Sequence, residues 1–329
     1  MAIKMIRNFT GYQGLMLREY WENKGITLWL PLVLAALLVA QNVLGLGVLF
    51  INGGIDHVVE VIDHSKQLSQ MDGAERSGEI TFHDRGWKLN NKEDSSYFLR
   101  LSDAQFAMSS GLHVISVVFM VVAALISGFY LLQCLYSDRN DRSVLFWKSL
   151  PVDEVANVLS KLLYGILVIP LVVFIFAVIA EVSGSLTLAL IYSASENYSF
   201  WGMLGEINPI SMVLRQLLSI LMFAFNGLPI AAWLLFCSAF SRRLPIVMAL
   251  IVPFVISVLE HFLLGDKYIG AFLEYVFDTG HPVLEGVWRG ESFSTLLAYY
   301  DGVQVVTSIC FSMVLLAGAV WCRNNRFEI

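Results

Sequence analysis

Long apolar runs separated by short polar ones set the rhythm of this chain. Six runs stand out, at residues 26–51, 111–136, 155–182, 211–240, 244–264 and 302–322. Each is near or above the roughly 18 residues that cross a bilayer as a helix. The first four exceed that minimum, which implies tilt or extension beyond the lipid. Residues 184–194 are also apolar, and either extend the third run or form a short helix of their own. The pattern predicts an all-α polytopic membrane protein with six transmembrane helices.

Ahead of the first run the period changes. Met5, Phe9, Tyr12, Met16 and Tyr20 recur at helical spacing with Ile6, Leu17 and Trp21 beside them, while Lys4, Arg7, Arg18 and Glu22 fall on a narrow opposite face. This predicts an amphipathic helix over residues 1–25 lying on the membrane surface, with Gly25 allowing a sharp turn into the first span. Between the first two runs lies a polar insert, residues 52–110. Gly53-Gly54 breaks the first run, residues 56–69 have helical spacing through Val58, Val61, Ile62 and Leu68, and residues 80–101 could hold a short hairpin. Ser102-Asp103-Ala104-Gln105 has the form of a capping box, so the second helix should begin near Asp103. The insert has too few apolar residues for a core of its own. The expected organisation is therefore an interfacial helix, 1–25, and a six-helix domain, 26–329, that includes the insert.

Composition agrees. Hydrophobic residues make up 57% and charged residues 15% of the chain, against about a quarter charged in a soluble domain. Mean hydropathy is +0.67. Orientation follows from lysine and arginine in the short loops. Lys4, Arg7, Arg18 and Lys24 precede the first span, Arg139, Arg142 and Lys148 follow the second, Arg242 and Arg243 follow the fourth, and Arg323 and Arg326 end the chain. The loop 184–210 has neither residue type, and 265–301 has only Lys267 and Arg289. Both termini are thus expected in the cytoplasm and the insert outside. A cleavable signal peptide is not expected, because the first run is too long for a signal core. The four cysteines, Cys134, Cys237, Cys310 and Cys322, lie in spans or at their cytoplasmic ends, so no outer disulfide framework is expected.

Candidate chemistry is sparse. His57, Glu60 and His64 share a helical face, but a third strong metal ligand is not fixed by spacing, and a solvated polar face is the simpler reading. No phosphate-binding loop is present, so ATP hydrolysis is not expected in this chain. Ionisable residues within spans carry more weight. Glu181, Arg215, Glu260 and His261 all fall near the outer side, either on a substrate path or snorkelling to the interface, and Arg215 is expected within reach of Glu181 or Glu260. Lys161 lies near the cytoplasmic end of the third span and is most simply a snorkelling residue. Pro170, Pro229 and Pro253 sit inside spans and can bend them. The most informative segment is the loop 137–152. Val144, Phe146 and Trp147 supply apolar surface, Arg139, Asp141, Arg142 and Lys148 supply charge, and Pro151 ends it, which predicts a short amphipathic helix exposed on the cytoplasmic side.

In this arrangement the chain resembles the permease subunits of ABC-2-type (type-2 exporter) ABC transporters. The run Tyr136-Ser137-Asp138-Arg139-Asn140-Asp141-Arg142-Ser143-Val144-Leu145-Phe146-Trp147-Lys148-Ser149-Leu150-Pro151 is similar to the coupling-helix loop of bacterial members, and Arg18-Glu19-Tyr20-Trp21-Glu22 resembles their elbow helix. The resemblance implies a bacterial inner-membrane protein, a homodimer joined to two copies of a separate cytoplasmic ATPase that holds ATP and magnesium. This chain would then be a transport subunit without enzymatic activity or cofactor of its own, with membrane lipid and no nucleic acid among its partners. Arg139, Asp141, Arg142, Phe146, Trp147 and Lys148 would couple to the ATPase, with the two aromatics as anchors, and Arg18, Tyr20 and Trp21 would belong to the elbow. Two other classes stay open: an ion-coupled secondary transporter using Glu181, Glu260 and His261 as a relay, and a membrane sensor whose outer loop binds a ligand.

Overall fold

The computed structural model describes residues 14–51, 79–83, 86–90, 104–140, 153–194, 199–241, 243–264, 268–277, 287 and 293–325. They form ten helices and one hairpin: α1 (Gly14–Ile51), β1 (Glu79–His83), β2 (Gly86–Asn90), α2 (Ala104–Asn140), α3 (Glu154–Ser193), α4 (Phe200–Ile207), α5 (Pro209–Asn226), α6 (Leu228–Phe240), α7 (Pro245–Leu264), α8 (Tyr268–Phe277), α9 (Phe293–Ala298) and α10 (Gly302–Asn325). Six stretches are long and apolar enough to cross a membrane: α1, Val114–Asn140 of α2, α3, Phe200–Asn226, Pro245–Phe262 and α10. The chain is thus built as a multi-pass membrane protein. The hairpin pairs antiparallel within the insert, Glu79 opposite Asn90 and His83 opposite Gly86. Residues 101–103, which include Ser102 and Asp103 of the expected capping box, lie outside the described residues.

Three helices depart from the apolar pattern, each for a local reason. The first runs on through Gly25 as a π-helical stretch, Gly25–Trp29, instead of turning there. The third runs unbroken to Ser193, so residues 184–193 extend it; it too contains a π-helical stretch, Tyr164–Val168. Both π stretches end one residue before a proline-containing pair, Leu30-Pro31 and Ile169-Pro170. Proline has no N–H to donate, and its ring crowds the carbonyl four residues back; a π turn, with its wider i→i+5 spacing, takes up that misfit. The expected fourth span, 211–240, is two helices, α5 and α6, divided at Gly227. A Cβ on Gly227 would lie 2.7 Å from the Phe223 carbonyl oxygen, and Pro229 follows in the first turn of α6. Asn208 divides α4 from α5 in the left-handed region, φ 47. Its side-chain oxygen accepts the Ser211 N–H at 3.2 Å, and Pro209 suits the first position of the next helix.

Contacts divide the chain into two compact units. One comprises residues 1–31, 120–174 and 214–329, the other residues 32–119 and 175–213. In the first, α6 packs chiefly along α10 and also on α7. Leu132, Cys237 and Ala249 form a core cluster bordered by Trp233, Leu234 and Met248. Gly165 lets α3 approach α2 closely, since a Cβ there would stand 2.6 Å from Leu131 Cδ2 and 2.8 Å from its Cγ. Overpacking of this kind costs about 1–3 kcal/mol. Gly165→Ala should therefore lower the unfolding temperature in detergent, while Gly302→Ala, with open space at its Cβ, should leave it unchanged.

In the second unit Leu112, Ala189, Met203, Ile207 and Met212 make the core. Its polar contacts run between helices: Asn42 Nδ2 donates to Ser183 Oγ at 3.2 Å, and Ser116 Oγ donates to the Glu181 carboxylate.

Candidate functional site

Charged side chains from four helices converge within the first unit. Glu19 comes from the N-terminal part of α1, Asp138 from the last turn of α2, Lys161 from the second turn of α3 and Arg323 from the last turn of α10. Lys161 Nζ stands 2.8 Å from Glu19 Oε1 and 3.4 Å from Asp138 Oδ1. Arg323 NH1 stands 3.0 Å from Asp138 Oδ2, and its Nε engages Glu154. Arg18 adds a contact to Asp138 Oδ1 at 3.5 Å and another to Glu22 at 2.7 Å. Tyr130 donates its hydroxyl to the second oxygen of Glu19 at 2.6 Å.

The burial is what sets this cluster apart. Glu19 and Lys161 are 1% exposed, and Asp138 and Arg323 are 5% exposed. Water cannot solvate such groups, so each must be held by opposite charge and hydrogen bonds. The arrangement meets that demand: three cations (Arg18, Lys161, Arg323) face three carboxylates (Glu19, Asp138, Glu154), with Glu22 at the edge. Lys161 is therefore not a snorkelling residue. Its side chain turns inward because Glu19 and Asp138 reach it from two other helices. Glu19 is buried likewise, while Leu17 and Trp21 beside it point outward, 58% and 62% exposed.

The loop 137–152 springs from this cluster at both ends. At its start, still in the last turn of α2, Asp138 is held by Lys161 and Arg323, and Arg139 donates to the carbonyls of Ser238 (2.6 Å) and Ser241 (2.7 Å) at the C-terminal end of α6. A cation there suits both the unpaired carbonyls and the helix dipole. After the loop, Asp153 caps α3 by accepting the Val155 N–H, and Glu154 takes Arg323. Asp141, Arg142, Phe146, Trp147 and Lys148 lie outside the described residues, as do His57, Glu60 and His64.

Both π stretches border the cluster. Thr27, in the first, and Tyr164, in the second, stand with their hydroxyls 3.4 Å apart, and the Tyr164 ring lies 4.9 Å from that of Tyr130. Beside them a cavity of about 680 Å³ opens between α1 and α2, with Lys161 at its polar end.

The other sequence candidates make contacts of their own. Glu181 is buried and takes the Ser116 hydroxyl. Glu260, also buried, accepts the backbone N–H groups of Ile269 and Gly270, so it caps the start of α8. Arg215 is half-buried, and its carbonyl accepts the Ser219 hydroxyl at 3.0 Å. His261 is exposed, edge-on to Phe262. In the elbow region Tyr20 and Trp21 meet edge to face, and Lys24 Nζ lies 4.9 Å over the Trp21 ring. Outside the spans, burial raises the pKa of Tyr300 above the ordinary phenol value; its hydroxyl donates to Asn226 at 3.1 Å. Among the described residues no group of three or more His, Cys, Asp or Glu side chains is arranged to hold a metal ion.

No protein-family model matches this chain, and neither a curated protein nor a solved structure matches it.

Proposed function

We propose that this chain is the membrane-spanning permease subunit of an ATP-driven exporter of the ABC-2 type, a homodimer in the bacterial inner membrane worked by two copies of a separate cytoplasmic ATPase. One observation carries the reading. The loop 137–152 opens with Asp138 and Arg139, in the last turn of α2, and is followed by Asp153 and Glu154, and these residues are bonded to α1, α3, α6 and α10. A push on the loop would reach all four helices at once. Paired buried charges suit such a joint, because breaking one pair strands an uncompensated charge and is costly. The contacts thus resist local yielding and carry displacement onward.

On this reading the chain does no covalent chemistry. ATP and magnesium are bound by the partner, Phe146 and Trp147 anchor the loop in it, and Asp141, Arg142 and Lys148 orient the docking, while Arg139, expected among them, instead ties the loop to the end of α6. The N-terminal helix moves with the loop through Arg18 and Glu19. Its outward Trp21 and Leu17 suit contact with lipid. Glu181 and Glu260 serve as structural acceptors for Ser116 and for the start of α8.

Orientation tests the reading independently of any substrate. Cysteine introduced at Ser69 should react with a membrane-impermeant thiol reagent from the outside of intact cells, and cysteine at Ser143 should react only after lysis. The reverse pattern would place the loop away from any cytoplasmic ATPase and overturn the proposal.

A further inference from the structure

The cavity beside the charge cluster has two unlike ends. Its walls at one end are Ile26, Leu30, Leu125 and Phe129, all substantially exposed, from 47% to 62%. At the other end it meets Glu19, Glu22, Asp138 and Lys161. Val122 and Asp138, both on its α2 wall, are sixteen residues apart in sequence, so it extends about 24 Å at 1.5 Å per residue. Half a bilayer with its headgroups is roughly 20–22 Å. The cavity is therefore about as long as one leaflet is deep, with an apolar arm for a chain and a polar end for a head. Its volume, about 680 Å³, is that of a drug-sized ligand rather than a two-chain lipid.

The polar end selects the sign of the head. With the arginines behind the lining included, Glu19, Glu22, Asp138 and Glu154 face Arg18, Lys161 and Arg323, one negative charge in excess, and Lys161 already donates to Glu19 and Asp138. An anionic head would find repulsion and little free donor capacity. Glu22 differs from the buried acids. Its side chain is 51% exposed, one oxygen holds Arg18, and Oε2 has no partner among the described residues. Gln133 and Ser137, both exposed, stand on the same rim. Glu22 and Gln133 thus put acceptor oxygens on the rim, where the N–H donors of a primary ammonium can use them.

We propose that this cavity binds a single-chain amphiphile with a primary ammonium head, its chain between α1 and α2 and its head at Glu22. The site is independent of what drives the bundle. The test is equilibrium binding of radiolabelled dodecylamine to the full-length chain in maltoside micelles, with dodecyltrimethylammonium and dodecanoate as competitors. Saturable binding is expected, displaced by unlabelled dodecylamine, weakly by the trimethyl compound and not by dodecanoate. Glu22→Gln should weaken it about two- to fivefold, the range of a rim charge. Leu125→Trp, which fills the apolar arm from an exposed position, should abolish it while the protein elutes unchanged on gel filtration. Non-saturable uptake, equal displacement by dodecanoate, or full binding by the Leu125→Trp protein would each overturn the proposal.

Discussion

Lys161→Met is expected to destabilise the protein by about 3–5 kcal/mol, the cost of removing one partner from a buried ion pair. The substitution keeps the length and bulk of the side chain, so packing changes little. What it removes is the ammonium shared between Glu19 and Asp138. Asp138 retains Arg323 at 3.0 Å and Arg18 at 3.5 Å. Glu19 is left with the Tyr130 hydroxyl and a distant Arg18 NH1 at 3.9 Å, too little for a carboxylate that is 1% exposed. Most of the loss should therefore reside on Glu19. Adding Glu19→Gln should recover the greater part of it, since the amide keeps an acceptor for Tyr130 and no longer carries charge. Thermal unfolding of wild type, the single variant and the double variant in one detergent gives the comparison. A single variant as stable as wild type would return Lys161 to an ordinary interfacial lysine.

That lysine also shows what sequence can and cannot show in this chain. The spans were legible because lipid demands long apolar runs, and hydropathy measures that demand directly. The break at Gly227 was hidden, because Leu228-Pro229-Ile230 continues the apolar run and hydropathy is blind to backbone dihedrals. A glycine followed within two residues by proline was the available clue. The π stretches were hidden likewise, although each precedes a proline. For the cluster, each charge was visible but no pairing was. Residues 19, 138, 161 and 323 are far apart in sequence and come together only when four helices pack. Glu19 was further masked by Arg18 and Glu22, which fit a helix face turned to water. An acid in the amphipathic helix and a lone lysine within an apolar span are complementary, and that complementarity was the signal to use.

The second large effect belongs to the loop. Phe146→Ala with Trp147→Ala should abolish docking of the cytoplasmic ATPase without unfolding the helices. A buried aromatic anchor contributes about 2 kcal/mol or more to an interface, and each 1.4 kcal/mol is about tenfold in affinity. Losing two anchors should weaken the complex by two orders of magnitude or more, beyond what survives purification. Asp138 and Glu154 are held by Lys161 and Arg323, and Arg139 by the carbonyls at the end of α6, so the fold should persist, with the same unfolding temperature as wild type. This separates a docking loss from a folding loss.

Affinity purification of the full-length chain from its native membrane, wild type beside the double-alanine variant, tests the proposed coupling most directly. The wild-type chain should bring down a soluble ATPase in equal number, and the variant should elute alone and folded. A wild-type chain that retains no nucleotide-hydrolysing partner, or a variant that retains it in full with its hydrolysis unchanged, would contradict the account.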